Sequence, residues 1–88
     1  IDLGVLLSIA SSWKNKPLDP DCVFVGEVGL GGEVRSAPRL ASRLKEAALL
    51  GFKRAIVPKK GIKGIETKMA LIGIDSVEEA LSYAFNRS

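Results

Sequence analysis

Positively charged side chains are the residues of this chain best suited to chemistry with a partner. Three arginines recur at intervals of four residues and three lysines share one short stretch: Arg35, Arg39 and Arg43, and Lys59, Lys60 and Lys63. Arginine forks and flexible lysines are the usual protein contacts to phosphate. No aromatic residues alternate with these cations, so base stacking is not indicated. The pattern predicts contacts to a nucleic-acid backbone without recognition of sequence, although a charged stripe on a helix is more commonly its solvated face.

Ser8, Ser11 and Ser12 are candidate nucleophiles, but a serine needs a base beside it. The sequence has no histidine, so a desolvated lysine would have to act as that base. No spacing in the sequence pairs one of these serines with a lysine. We therefore expect helix serines that lie at the surface or bond back to the preceding turn.

The glycine-rich segment 26–32 has the composition of a phosphate-binding loop but not its spacing. A P-loop needs Lys and then Ser or Thr after its last glycine, whereas Glu33 follows Gly32 here. The segment instead favours a hairpin turn in which glycine supplies positive φ or close backbone approach. We interpret Glu27 and Glu33 as solvated or lysine-paired rather than as an acid–base pair.

Composition excludes several classes of site. The chain has 88 residues, a formal net charge of +3 and 47% hydrophobic residues. Because it has one cysteine, Cys22, and no histidine, it cannot form a disulfide scaffold, an imidazole metal site or a Ser-His-Asp triad. We expect no metal or cofactor in residues 1–88, which fit one small domain. No apolar run reaches the ~18 residues of a membrane span, so we expect no membrane contact.

The periodicity predicts an α+β fold with elements in the order α-β-β-α-β-β-α. Helices are expected at 1–14, 38–50 and after Ser76, and strands at 22–28, 33–35, 53–58 and 70–74, with a basic loop at 59–68. Residues 22–28 and 33–35 are expected to form a hairpin. The first helix is apolar nearly all round and begins directly after Ile1, where no Met stands. We therefore expect a piece of a longer protein, with further structure or a partner covering this helix.

Local signals define the two later helices. On the buried side of the second we expect Leu40, Leu44, Ala47 and Ala48, with Leu49 and Leu50 widening that side. Gly51 followed by Phe52 predicts a Schellman stop. Ser76 and Glu79 have the spacing of a capping box at the start of the last helix.

A set of residues between Cys22 and Pro58 carries a family likeness. They are Gly26 to Val28, Leu30, Gly32, Val34, Leu40, Leu44 to Ala48, Gly51 to Lys53 and Ile56 to Pro58. In them the chain resembles the proteolytic domain of Lon proteases. The runs 24–35 (FVGEVGLGGEVR) and 43–58 (RLKEAALLGFKRAIVP) are more similar still to the Lon-like C-terminal domain of the RadA (Sms) family of recombination ATPases. The resemblance implies a Lon protease-type fold, a ribosomal-protein-like two-layer α/β fold truncated at its N-terminus.

The resemblance can be followed to the Ser-Lys dyad of Lon proteases. The serine position would fall at or just before Ile1, the supporting threonine position is Val25, and the lysine position is Ala41. The two glycines that precede this lysine in Lon correspond to Pro38 and Arg39. The resemblance therefore implies a domain without proteolytic activity, because an activated serine without its base loses most of its rate advantage.

The resembled family also implies partners and a location. The domain would be a scaffold for a homo-hexamer, and would help an ATP-dependent branch-migration motor to hold DNA during recombinational repair. ATP and zinc are implied only for upstream domains, and the location would be cytoplasmic in a bacterium or organellar in a plant.

Two alternative functions stay open. One is an active Ser-Lys peptidase of Lon type, against which Val25 and Ala41 argue. The other is an assembly module without DNA contact, which the small net charge allows.

Overall fold

The computed structural model describes residues 1–85 and confirms the α+β class. The helices are α1 (Leu3–Lys14), α2 (Leu40–Leu49) and α3 (Val77–Phe85). The strands are β1 (Cys22–Phe24), β2 (Glu27–Val28), β3 (Val34–Arg35), β4 (Arg54–Pro58) and β5 (Ala70–Ile74), and a 3₁₀ turn covers Lys59–Gly61. Over this described range, no helix has the length and apolar character needed to cross a membrane.

The main sheet is parallel, with β4 between β1 and β5. In its register Arg54 lies opposite Cys22 on one side and opposite Ala70 on the other. The crossover from β1 to β4 contains α2, whereas the crossover from β4 to β5 is the 3₁₀ turn and a loop. A parallel pair needs a crossover of about a dozen residues, and the segment 59–69 is close to that minimum.

The segment 22–28 forms two strands, so the expectation of one strand there is wrong. β1 joins the parallel sheet, and only β2 forms the predicted hairpin, with β3. The chain changes sheet at Gly26, which is buried. A Cβ on Gly26 would lie 3.0 Å from Cγ1 of Val34. The chain therefore passes from one sheet to the other at the point where β3 closely approaches the backbone of Gly26. Periodicity does not reveal this long-range contact.

Each face of the parallel sheet has its own hydrophobic cluster. Prominent members are Leu40, Leu44, Ala47, Ala55 and Val57 on the α2 side, and Leu3, Leu7, Ile56, Ile74 and Ala80 on the side of α1 and α3. Ala55 and Val57 alternate with Ile56 along β4, as side chains do in a strand. The helices thus form a layer on each face of the sheet, where the resemblance implied two layers in all.

α1 buries one face and leaves the other uncovered by residues 1–85. Leu3 and Leu7 are fully buried. Val5, Ile9 and Trp13 follow one another at single-turn spacing and are exposed, Trp13 by 90%. This is the arrangement expected of a helix that is apolar nearly all round in so short a chain.

The predicted Schellman stop after α2 is confirmed. The N–H of Phe52 donates to the carbonyl of Ala47 and the N–H of Gly51 donates to the carbonyl of Ala48, each at 3.1 Å. Gly51 has φ of 97°, in the left-handed region that glycine enters without steric cost. The stop turns the chain from the helix back into β4.

The expectation that Leu49 and Leu50 widen the buried side of α2 is wrong. Their exposures are 80% and 79%, against 1% for Leu44. At 100° per residue, Leu49 lies about 140° around the helix from Leu44 and Leu50 about 120° in the opposite sense. Both side chains therefore point away from the sheet. The expectation that Ala48 lies on the buried side is also wrong, because Ala48 is exposed.

The predicted cap of α3 is also present. Oγ of Ser76 accepts a hydrogen bond from the N–H of Glu79 at 3.2 Å. The Glu79 carboxylate accepts one from the N–H of Asp75 at 2.9 Å, one residue before the position of an ideal capping box. Two backbone donors at the start of the helix are thereby satisfied.

We expect Ser76→Ala to lower the free energy of unfolding by about 1 kcal/mol, because the first turn of α3 loses an acceptor. Urea unfolding followed by circular dichroism measures the loss. Ser82→Ala is the matched control, since Ser82 is exposed on the same helix, and it should stay within about 0.5 kcal/mol of the parent. Equal losses in the two variants would contradict the capping role.

Candidate nucleic-acid interface

Arg35 ends β3 and is held by an acid of the same hairpin. Its Nη2 lies 2.5 Å from Oε2 of Glu33, and Oε1 of Glu33 also accepts the N–H of Gly31 at 3.0 Å. The hydrogen bond from Arg35, followed by that from its own backbone N–H, holds the pKa of Glu33 below its ordinary value. The ion pair is at the surface, where solvent screens it.

We expect the carboxyl of Glu33 to titrate below the usual glutamate pKa of about 4.3, and Arg35→Gln to raise its pKa toward that value. Because the folded pKa is lower than the unfolded one, the pair stabilises the fold above the unfolded pKa. This stabilisation is lost as the pH falls through the folded pKa. An NMR titration of the carboxyl carbon measures the shift, and an unchanged titration in Arg35→Gln would contradict the pairing.

Lys59 and Lys60 occupy the 3₁₀ turn that follows β4. Nζ of Lys59 lies 3.4 Å from Oδ2 of Asp75, the residue after β5. The turn packs against the segment between β3 and α2, since a Cβ on Gly61 would lie 2.9 Å from Oγ of Ser36. This close approach, which needs a glycine, brings the lysine turn beside the end of β3.

Arg35 and Lys60 line one groove of about 590 Å³, which we call the β3 groove. Its other lining residues are Glu33, Val34, Ser36 and Asp75. With Lys59, which is paired to Asp75, the groove has three cations against two carboxylates. The structure thus gathers part of the predicted basic set on one surface, and places acids among the cations.

The other predicted cations do not line the β3 groove. Arg39 is the N-cap of α2 with φ of 56°, a left-handed conformation that costs a non-glycine residue roughly 1–2 kcal/mol. Arg43 lies one turn further, with Nη2 at 3.6 Å from Oδ2 of Asp2. Lys63 is exposed in the loop before β5 and forms no ion pair with any residue of the described range.

The positions that the Lon resemblance assigns to the supporting threonine and to the lysine carry no group that can move a proton. Val25 is 2% exposed and belongs to the cluster under α2, and Ala41 is exposed in the first turn of α2. The predicted back-bonding of the helix serines is confirmed for Ser8, whereas Ser11 bonds forward along the chain. Oγ of Ser8 donates to the carbonyl one turn earlier at 2.9 Å, and Oγ of Ser11 donates to the carbonyl of Lys16 at 2.5 Å.

Sequence reasoning missed a second groove, between α2 and the loop before β5. We call it the α2 groove; it has a volume of about 770 Å³, and its lining includes Leu44, Ala48, Phe52, Ile65 and Met69 together with Lys45, Lys53 and Lys68. The lysines are visible in the sequence, but nothing in their spacing groups them. The β4–β5 crossover returns residues 64–69 onto α2, and this long-range contact forms the groove.

The comparisons with known proteins give sequence relatives but no family profile, since no model of a known protein family matches the chain. The chain is 46% identical to the DNA repair protein RadA of Halalkalibacterium halodurans, over 99% of this chain and 20% of that protein. It is 49% identical to the RadA of Bacillus subtilis, over 92% of this chain and 18% of that protein. For the RadA of Streptococcus pneumoniae the values are 45%, 97% and 21%.

The chain spans about a fifth of the length of the curated relatives that it matches. Over nearly all of its own residues, the chain is therefore similar to one part of the proteins named DNA repair protein RadA.

Proposed function

We propose that this chain is a proteolytically inactive Lon-like domain of a RadA-type DNA repair ATPase. In this proposal it is a scaffold for a hexameric assembly and contacts DNA without sequence preference. Its identity of 45–49% to three proteins named DNA repair protein RadA supports the role in repair. The single observation that supports DNA contact is the β3 groove, in which Arg35 and Lys60 share one surface.

The β3 groove has the chemistry of a backbone contact rather than of a base-reading site. Arg35 offers a guanidinium fork and Lys60 a mobile ammonium, and both are exposed. Ser36 lies in the same lining and adds a hydroxyl donor. No aromatic side chain is among the lining residues, so nothing in the groove would stack on a base. Such contacts position a duplex and carry no sequence information.

The turn before α2 supports both the Lon likeness and the loss of proteolysis. Arg39 stands where the Lon pattern has the second of two glycines, and its φ of 56° is a glycine-like conformation. Leu40 follows as in that pattern and is buried. Ala41 then occupies the lysine position and supplies no base. In the proposal the turn therefore keeps the backbone of the family site without its proton acceptor.

An assembly module without DNA contact is the second candidate, and the ion pairs favour it. Arg35 is bonded to Glu33, and Lys59 to Asp75. A phosphate would have to compete with both carboxylates, so the groove offers little net attraction beyond Lys60. In such a module, substitutions at the subunit interface would dissociate the hexamer. Substitutions in the β3 groove would leave it intact.

DNA affinity of the full-length protein at one low salt concentration distinguishes these candidates. We expect Arg35→Gln with Lys60→Gln to weaken binding by about tenfold or more, equally for two duplexes of unrelated sequence. Lys14→Gln with Lys16→Gln removes the same charge away from the groove and should leave the affinity unchanged. Light scattering checks that the hexamer persists in both. An unchanged DNA affinity in the β3-groove variant would contradict the proposed DNA contact. Hydrolysis of casein by the parent protein would contradict the proposed lack of proteolytic activity.

The proposal assigns ATP and zinc to other parts of the protein and none to this domain. It also places the protein in the bacterial cytoplasm, as opposed to a plant organelle. The organisms of the three relatives, all bacteria, support that placement.

A further inference from the structure

The α2 groove combines an apolar floor with cations that have no acidic partner among residues 1–85. From this combination we propose that it binds an acidic, amphipathic helical segment of a partner protein. The inference concerns a surface other than the β3 groove, and it does not depend on DNA contact.

The floor of the α2 groove suits aliphatic anchors. Leu44 and Met69 are buried at its base, and Phe52 and Ile65 are partly buried against the same cluster. A volume of about 770 Å³ is ample for apolar side chains projecting from one helix face, the mode in which amphipathic helices enter grooves. Phe52 is the only aromatic residue in the lining, so the groove has no platform for stacking successive bases. An apolar helix face therefore fits this floor better than single-stranded nucleic acid does.

The rim of the α2 groove selects the charge of the partner. Lys45, Lys53 and Lys68 are exposed in its lining, and Glu66 is the one acid there. None of the three lysines forms an ion pair with a residue of the described range, in contrast to Lys59 with Asp75. The rim thus has an excess of two positive charges. Glutamate or aspartate beside the apolar anchors would complement it, which favours association and suppresses basic partners.

A second copy of this chain is a poorer occupant of the α2 groove. An exposed apolar stripe, Val5, Ile9 and Trp13, runs along its α1. That stripe leads into Lys14 and Lys16, which would meet the lysine rim with like charge. Like-charge contacts across an interface are strongly disfavoured.

Fluorescence anisotropy with the full-length protein tests the proposal. The probe is a labelled synthetic helix of leucine and glutamate, with leucine at i, i+3, i+4 and i+7. A control helix carries lysine in place of glutamate, and an unlabelled oligothymidine serves as competitor. One variant reverses the rim by Lys45→Glu, Lys53→Glu and Lys68→Glu, and another fills the groove by Ala48→Trp at an exposed position of α2. Lys14→Glu and Lys16→Glu together with Ser12→Glu and Ser82→Glu, all at exposed positions outside both grooves, make the matched control with the same total change in charge.

We expect saturable binding of the glutamate helix that weakens at least tenfold in both groove variants. In the matched control it should change by less than about twofold. Several results would overturn the proposal: no saturable binding, equal binding of the lysine helix, or equal weakening in the matched control. Displacement of the helix by oligothymidine with loss of oligothymidine binding in the rim variant would also overturn it, in favour of a nucleic-acid groove. Because Arg35→Gln with Lys60→Gln leaves this groove untouched, failure here is separable from failure of DNA contact at the β3 groove.

Discussion

Leu44→Ala is expected to lower the free energy of unfolding by about 2–5 kcal/mol. Leu44 is 1% exposed and packs from α2 against the face of β4 that carries Ala55 and Val57. Alanine at this position removes buried apolar surface and leaves a cavity between helix and sheet, since the sheet backbone cannot move in to fill it. For a domain whose total stability is of the order of 5–15 kcal/mol, this is a large fraction. Urea unfolding followed by circular dichroism measures the change.

Leu49→Ala is the matched control for Leu44→Ala, because it makes the same chemical change on the same helix. Leu49 is 80% exposed, so its truncation should alter the free energy of unfolding by no more than about 0.5 kcal/mol. If both variants lost similar stability, α2 would be packed through a wider face than the structure shows.

Leu7→Ala is expected to have an effect of the same size, about 2–5 kcal/mol, on the opposite face of the sheet. Leu7 is a fully buried residue of α1 and packs in the cluster that contains Ile56 and Ala80. This cluster and the one under α2 lie on opposite sides of β4. Their losses should therefore be close to additive in the Leu7→Ala, Leu44→Ala double variant. Thermal and urea unfolding of the single and double variants provide the measurement.

Ile9→Ala separates the buried face of α1 from its open face. Ile9 is 60% exposed, and alanine is the better helix former, so we expect a change within about 0.5 kcal/mol. A loss of several kcal/mol in Ile9→Ala would contradict the exposed position of this side chain in residues 1–85, and would show that another surface covers α1 in the protein tested.

Signals that act within a turn or two of the chain were sufficient to predict helix ends. Ser76 with Glu79, and Gly51 with Phe52, predicted a cap and a stop that the structure contains. In both cases the hydrogen bonds join residues close in sequence, so the residue types alone specify the geometry. Leu49 shows the limit of such signals, because it is apolar yet lies at an angle around the helix that leaves it 80% exposed.

The acids among the predicted cations divide into those that the sequence could have shown and those that it could not. Glu33 and Arg35 stand on either side of Val34 in extended chain at the start of β3, so they share one face of the hairpin, and their pairing could be predicted from spacing. Lys59 with Asp75 is different, because only the parallel alignment of β4 and β5 brings the ends of these strands together. Periodicity predicts which strands exist but not which of them become neighbours.

Neither groove could be predicted from the sequence, because each forms where segments far apart in the chain meet. The β3 groove forms where the 3₁₀ turn packs on Ser36, and the α2 groove forms where residues 64–69 return to α2. Neither contact has a local signal in the sequence. The candidate cations were therefore identifiable by type, whereas their grouping on a surface was not.

The salt dependence of duplex DNA binding by the full-length protein tests the central claim most directly. If about four phosphates are contacted, the logarithm of the binding constant should fall against the logarithm of salt concentration with a slope of about −3.6. Arg35→Gln with Lys60→Gln should make this slope shallower by about 1.8, because two contacts are lost. Lys14→Gln with Lys16→Gln should keep the parental slope. Equal slopes in all three proteins would contradict DNA contact at the β3 groove and leave the domain as an assembly module.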